Sequence, residues 1–156
     1  VDERKRPGPD RRSVEISKVS REALEPVIIK EFYPKTEIDV YVEILQSDAG
    51  TRTAGINAAS VALADAGIPM KDLVSSVAVG KIDGEVVLDL NAMEDNYGEA
   101  DMPIAMIARR NTITALQMDG RMTKEEFNKG LKLAMNACRQ IYELQRTALI
   151  ERYSEM

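Results

Sequence analysis

Leu73-Val-Ser-Ser-Val-Ala-Val-Gly-Lys-Ile-Asp-Gly-Glu-Val-Val-Leu-Asp-Leu90 decides the fold class. Two apolar runs, Leu73 to Ile82 and Glu85 to Leu90, flank Asp83-Gly84. Asp-Gly between such runs is a hairpin signal, because a two-residue turn of this kind needs positive φ at both central residues. Upstream, Thr36 to Gln46 alternates, with Ile38, Val40, Val42 and Ile44 on one face and Asp39, Tyr41 and Glu43 on the other, which predicts a half-buried strand. The run Ser47 to Thr53 breaks that strand and leads into a small-residue helix, Ala54 to Ala66, stopped by Gly67 and Pro69. Further upstream, Val1 to Arg12 reads as an extended arm kept from an early helix by Pro7-Gly8-Pro9. A helix follows from Asp10 or Ser13, both good N-caps, until Pro26 kinks or ends it.

Downstream of the hairpin, Asn91 to Asp101 reads as an irregular acidic stretch, followed by short strands at Met102–Ala108 and Thr112–Met118 and a turn at Asp119-Gly120. Thr123 and Glu126 form a capping box for a long last helix. Its residues Phe127, Leu131, Ala134, Cys138, Ile141 or Tyr142, Gln145 and Leu149 follow the spacing of one buried stripe. The organisation is an arm at 1–12 and one α+β domain at 13–156, neither a bundle nor a sandwich.

Composition sets the limits on chemistry. The 156 residues are 44% hydrophobic and 30% charged, which fits one globular domain and excludes disorder. No apolar run reaches the ~20 residues that span a bilayer, so no membrane role is expected. A single cysteine, Cys138, forms no internal disulfide, which suits a reducing, cytoplasmic setting. With no histidine at all, imidazole catalysis and His-ligated zinc are excluded. The net charge of −5 argues against nucleic-acid binding through bulk charge, but not through a local basic patch. The chain also opens without a methionine inside a charged stretch, which reads as a fragment or a processed product.

Three features can carry chemistry. At Gly50-Thr51-Arg52 a glycine lets backbone approach an anion, a helix start directs amides outward, and arginine offers a bidentate fork for phosphate. An ordinary loop and helix cap, with Arg52 paired to an acid, is the competing reading. Between Asp83 and Asp101 lie seven carboxylates and no Lys or Arg. Crowded carboxylates raise one another's pKa or recruit a divalent cation, so Asp95 and Asp101, bracketing Asn96-Tyr97-Gly98, can hold Mg²⁺ or supply a general acid, unless the stretch is merely solvated. In the arm, Arg11 and Arg12, with Arg4 and Arg6 before them, can grip a sugar–phosphate backbone or simply face solvent.

Together these features are what phosphate-driven cleavage of a nucleic acid requires. The stretches Arg6-Pro-Gly-Pro-Asp-Arg-Arg12, Ser47-Asp-Ala-Gly-Thr-Arg52, Ala62-Leu-Ala-Asp-Ala-Gly-Ile-Pro-Met70 and Asp89-Leu-Asn-Ala-Met-Glu-Asp-Asn-Tyr-Gly-Glu-Ala-Asp-Met-Pro103 strongly resemble the RNase PH family, in particular its archaeal exosome branch. The resemblance covers essentially the whole chain. It implies an RNase PH-like (ribosomal protein S5 domain 2-like) fold, a mixed sheet packed with helices and a long C-terminal helix. Family members carry a further N-terminal β-rich portion, so the chain reads as the C-terminal two-thirds of such a subunit.

By the same resemblance Gly50, Thr51 and Arg52 match the inorganic-phosphate site, Asp95 and Asp101 the catalytic carboxylates, which either hold a Mg²⁺ or supply the general acid, and Arg11 and Arg12 the arginines that hold an RNA 3′ end. The implied reaction is 3′→5′ phosphorolysis of single-stranded RNA, releasing nucleoside 5′-diphosphates. The implied partners are a paralogous non-catalytic subunit, alternating with this one in a hexameric ring, and RNA-binding cap subunits. A non-catalytic RNA-binding ring subunit and a structural RNA-binding module are the alternatives. Loss of Arg52 or of the Asp95/Asp101 pair would have favoured the first.

Overall fold

The computed structural model describes residues 8–154. Asp10 caps the first helix, α1 (Arg11–Leu24), through a reciprocal box in which the Ser13 amide donates to Asp10 Oδ1 at 2.6 Å and the Asp10 amide donates to Ser13 Oγ at 2.9 Å. Arg11 and Arg12 are therefore the first two helical residues and not the end of an extended arm. Arg4 and Arg6 lie outside the described residues. Pro26, which cannot donate within a helix, sits in the 3-10 turn Glu25–Val27 that ends α1.

The remaining elements are α2 (Thr51–Asp65), β1 (Ser75–Ile82), β2 (Glu85–Leu88), α3 (Ala92–Tyr97), β3 (Ala100–Ile107), β4 (Thr112–Leu116), β5 (Asp119–Gly120) and α4 (Lys124–Ser154). The sheet runs β2-β1-β3-β4, with β5 also on β3, and each of these ladders is antiparallel. The hairpin is as expected: Asp83 and Gly84 both have positive φ, 50° and 79°, and Ile82 faces Glu85 across the turn.

Helices cover both faces of the sheet. On β3, Met102, Ile104 and Met106 pack with Val77 and Val79 of β1 against Ala134 and Cys138 of α4. The alternate residues Ala105 and Ile107 pack with Ala23, Leu24, Ile56 and Leu63 of α1 and α2. This two-sided burial explains why β1 and β3 read as continuous apolar runs. The expected stripe of α4 holds through Ala134, Cys138, Tyr142 and Gln145. Gln145 is a buried polar member of it, whose amide donates to the carbonyls of Val74 (3.1 Å) and Asn57 (3.2 Å) and so pins α4 to the start of β1 and to α2.

Three expectations are corrected. Thr36 to Gln46 forms no strand among the described residues. The segment has no regular structure, and Ile38, Val40, Val42 and Ile44 line one groove with residues of α1 and α2, but no neighbouring strand takes up its backbone groups. The acidic stretch is not irregular either: Asn91 and Glu94 close a capping box, and α3 follows. Finally, Asp119-Gly120 is a two-residue strand pairing Asp101 and Ala100, in place of a turn.

Candidate active site

The first residues of α2 form one wall of the site. Gly50 is its N-cap, in the left-handed region at φ 61°, directly after Ala49 at φ 62°. Two consecutive residues there turn the chain sharply, and only glycine takes that conformation without a Cβ penalty. Thr53 Oγ1 donates to the Gly50 carbonyl at 2.9 Å and tightens the turn. The leading amides of a helix have no acceptor within it, so this end carries partial positive charge.

The carboxylates of the acidic stretch sort themselves by partner. Glu85 pairs with Lys129 (3.1 Å), and Glu99 pairs with Lys81 (2.8 Å), which also reaches Glu126 (3.1 Å). Glu94 is used in the α3 cap, where it accepts from the Asn91 amide. Asp83 and Asp89 occupy positive-φ positions, at 50° and 58°, that Asp tolerates better than most residues. Asp95, from the middle of α3, and Asp101, from the start of β3, are the two that reach the cavity beside Arg52.

That cavity, of about 280 Å³, is lined by Gly50, Thr51, Arg52, Asp95, Asp101 and Arg12, with Glu15 of α1 and Pro103 of β3. Four elements far apart in sequence thus bring together six of the seven residues singled out from the sequence. The seventh, Arg11, is exposed and does not line it. A second cavity of about 570 Å³ adjoins on Arg52, Asp95 and Asp101 and extends to Gln117 and Asp119.

Electrostatics separates the two aspartates. Burial, and then the neighbouring Asp95 charge, push the Asp101 carboxyl above its ordinary value, and Arg52 only partly opposes them. Asp101 Oδ1 is buried without a hydrogen-bond partner, as are Arg52 Nε and Gln117 Oε1. Native interiors rarely leave such atoms unpaired, so three of them around adjoining cavities mark a place built for a polar ligand. No group of three or more His, Cys, Asp or Glu side chains arranged for a metal occurs among the described residues. An unpartnered carboxylate oxygen on one of two adjacent aspartates nevertheless fits Mg²⁺, which takes one or two protein carboxylates and fills its remaining positions with water and phosphate.

Sequence reasoning missed three residues of this region. Asp48 Oδ1 accepts from the Ala92 amide at 2.9 Å, which ties the loop before α2 to the start of α3. Glu15 Oε1 receives Arg52 Nη2 at 2.9 Å and Gln117 Nε2 at 3.5 Å. Glu15 and Arg52 are 37 positions apart and Glu15 and Gln117 are 102 apart, so no local pattern signals either contact. For Asp48 the signal available was its place in the Ser47–Arg52 stretch.

Known proteins share this architecture and this sequence. The chain's fold is that of rice (Oryza sativa) Rrp46, with a TM-score of 0.83 at 23% identity over 92% of this chain and 68% of that one. Its sequence is 64% identical to the exosome complex component Rrp41 of Thermococcus gammatolerans over 98% of this chain, 63% to that of Methanopyrus kandleri over 98% of this chain, and 60% to that of Archaeoglobus fulgidus over 100% of this chain. It spans 61%, 64% and 62% of the lengths of those three proteins. Residues 1–69 match domain 1 of the 3′ exoribonuclease family and residues 72–137 match domain 2. Every residue lining the 280 Å³ cavity falls within these two matched segments, and with the fold and the sequence in agreement, the chain belongs to the 3′ exoribonuclease, or RNase PH, family.

Proposed function

We propose that this chain supplies the catalytic site of a phosphate-dependent 3′→5′ exoribonuclease, acting as the catalytic subunit of an archaeal-type exosome ring. One observation carries the reading: Gly50, Thr51 and Arg52 at the start of α2 and the carboxylate pair Asp95/Asp101 line the same cavity, together with Arg12. The likeness to exosome components named Rrp41 supports it.

Orthophosphate is a poor nucleophile until its charge is neutralised and an oxygen is aimed in line with the leaving group. Gly50 and Thr51 would receive it at the α2 amides, and Arg52 would hold it with a planar fork. A phosphate oxygen then attacks the last internucleotide phosphorus of an RNA 3′ end, and the bond from phosphorus to the preceding 3′ oxygen breaks. The products are a nucleoside 5′-diphosphate and an RNA one nucleotide shorter. The released oxygen needs a proton to end as a 3′ hydroxyl. Asp101, whose carboxyl is pushed upward by burial and by Asp95, is suited to hold that proton at the cavity wall. In the alternative role, with both carboxyls ionised, Asp95 and Asp101 would hold a Mg²⁺, which when bound supplies charge neutralisation at the leaving oxygen in place of that proton. Arg12, and Arg11 beside it on the first turn of α1, would grip the RNA backbone.

The ring would alternate this subunit with a paralogous non-catalytic one beneath RNA-binding caps, in the cytoplasm. No helix among the described residues is long and apolar enough to cross a membrane. The test is release of nucleoside diphosphate from single-stranded RNA by the full-length subunit in its complex, with and without inorganic phosphate. Diphosphate formed only with phosphate supports the reading. RNA bound but never shortened would make the chain a non-catalytic RNA-binding subunit instead.

A further inference from the structure

Arg52 has a fork of five N–H donors and Gln117 an amide with two unlike ends, and the orientation of both matters to anything bound between them. One atom sets both. Glu15 Oε1 accepts from Arg52 Nη2 at 2.9 Å and from Gln117 Nε2 at 3.5 Å. The remaining polar atoms Arg52 Nε, which neighbours Nη2 across Cζ, and Gln117 Oε1 are buried and have no partner. Arg52, Gln117 and Glu15 all line the cavity that also contains Asp95 and Asp101. With a carboxylate oxygen facing it, the Gln117 amide cannot flip, because its own oxygen would then oppose Glu15. Glu15 is itself carried by α1, a different element from either group that it holds.

We propose that Glu15 is the positioning residue of the phosphate site: by receiving Arg52 and Gln117 on one oxygen, it fixes the guanidinium plane, and with it the direction of the free Nε–H, and turns the acceptor end of the amide towards the anion. Hydrogen phosphate carries both features that those groups require, acceptor oxygens for Arg52 and a P–OH donor for Gln117. The proposal rests on the phosphorolytic reading but makes a separate claim, that reach and geometry at Glu15 matter and its charge matters little.

Two conservative substitutions separate these properties. Glu15→Gln keeps the acceptor oxygen at the same reach and removes the charge, whereas Glu15→Asp keeps the charge and shortens the reach by one methylene. Both are measured in the full-length subunit within its complex, as the phosphate KM of diphosphate release at saturating RNA and as the Kd of inorganic phosphate by calorimetry. Glu15→Gln should stay within about threefold of wild type, and Glu15→Asp should raise both constants about tenfold, the effect of a misaligned charged hydrogen bond. RNA affinity in the absence of phosphate should not change. Any other ordering overturns the proposal: equal variants, an impaired Gln with a normal Asp, or tighter phosphate binding in either, which would make Glu15 only a counter-ion occupying the arginine. If phosphate binds to wild type and the two variants in the expected order but wild type releases no diphosphate, the phosphorolytic reading fails and the role of Glu15 stands. If diphosphate is released and the order is absent, the reverse holds.

Discussion

Asp101 and Asp95 show how position alone divides two identical side chains. Asp101 is half-buried at the start of β3 next to a second carboxylate, so its neutral form is favoured. Removing Asp95 should lower the Asp101 pKa, and removing Arg52 should raise it further, so the order is Arg52→Ala above wild type above Asp95→Asn. Carboxyl carbon chemical shifts followed against pH would read this order directly. A raised carboxyl pKa adds stability only while the group is protonated, at low pH, and that contribution disappears as pH rises through the raised value. A general acid follows the same sign, so turnover should fall on the alkaline side of the Asp101 titration. Asp101→Asn should reduce turnover by ~10²–10⁴-fold and leave RNA binding near wild type. Near-normal turnover in that variant would remove Asp101 from the chemistry. These two residues were legible in the sequence because crowded acids without compensating cations stand out. Their separation from Glu85 and Glu99 was not, since Lys129 and Lys81 reach those acids from outside the stretch.

At the scale of elements, turn chemistry was the most readable signal and strand pairing the least. Asp83-Gly84 and Thr123 with Glu126 act locally, and both formed as expected, the second with the Thr123 amide donating to Glu126 Oε2 at 2.7 Å. α3 had an equally local signature in Asn91 and Glu94, obscured by the density of charge around it. Thr36 to Gln46 alternates as a strand should, yet alternation specifies only which face is apolar, and a ladder also needs a neighbour. The first turn of α1 gives a test at this scale. Its two arginines point in directions about 100° apart, as successive residues of a 3.6-residue helix must, and of the two only Arg12 lines the 280 Å³ cavity. Arg11→Glu and Arg12→Glu together should weaken RNA binding and flatten its salt dependence, each lost phosphate contact reducing the slope of log K against log salt by roughly 0.7. Arg12→Glu alone should also reduce turnover more than Arg11→Glu alone. An unchanged salt slope in the double variant would mean that this helix start does not touch the RNA backbone.

For the whole molecule, the sheet between two helical layers keeps α2, α3, β3 and α1 at one cavity. Cys138 reports on that packing. It lies on α4 in full contact with the sheet, and burial pushes its thiol up to about 12. A thiol reagent at neutral pH should therefore leave the folded protein unlabelled and modify it only when unfolding exposes α4. Rapid labelling under native conditions would contradict the placement of α4. The fold class was legible because periodicity and turns are properties of neighbouring residues. Contacts such as Glu15 with Arg52 depend on how four distant elements close on one another, and no window of sequence contains them.

Whether the start of α2 binds the attacking phosphate is read by a phosphate titration of diphosphate release at saturating RNA for Arg52→Ala, Arg52→Lys and wild type in the full-length complex. A charged hydrogen bond is worth ~1.5–3 kcal/mol, so Arg52→Ala should raise the phosphate KM about tenfold or more. It should also lower kcat, because the nucleophile is no longer aimed. Arg52→Lys should recover part of the loss, since it restores charge without the planar fork. A phosphate KM and maximal rate in Arg52→Ala equal to those of wild type would contradict the account and reduce the Gly50–Arg52 junction to a loop and helix cap.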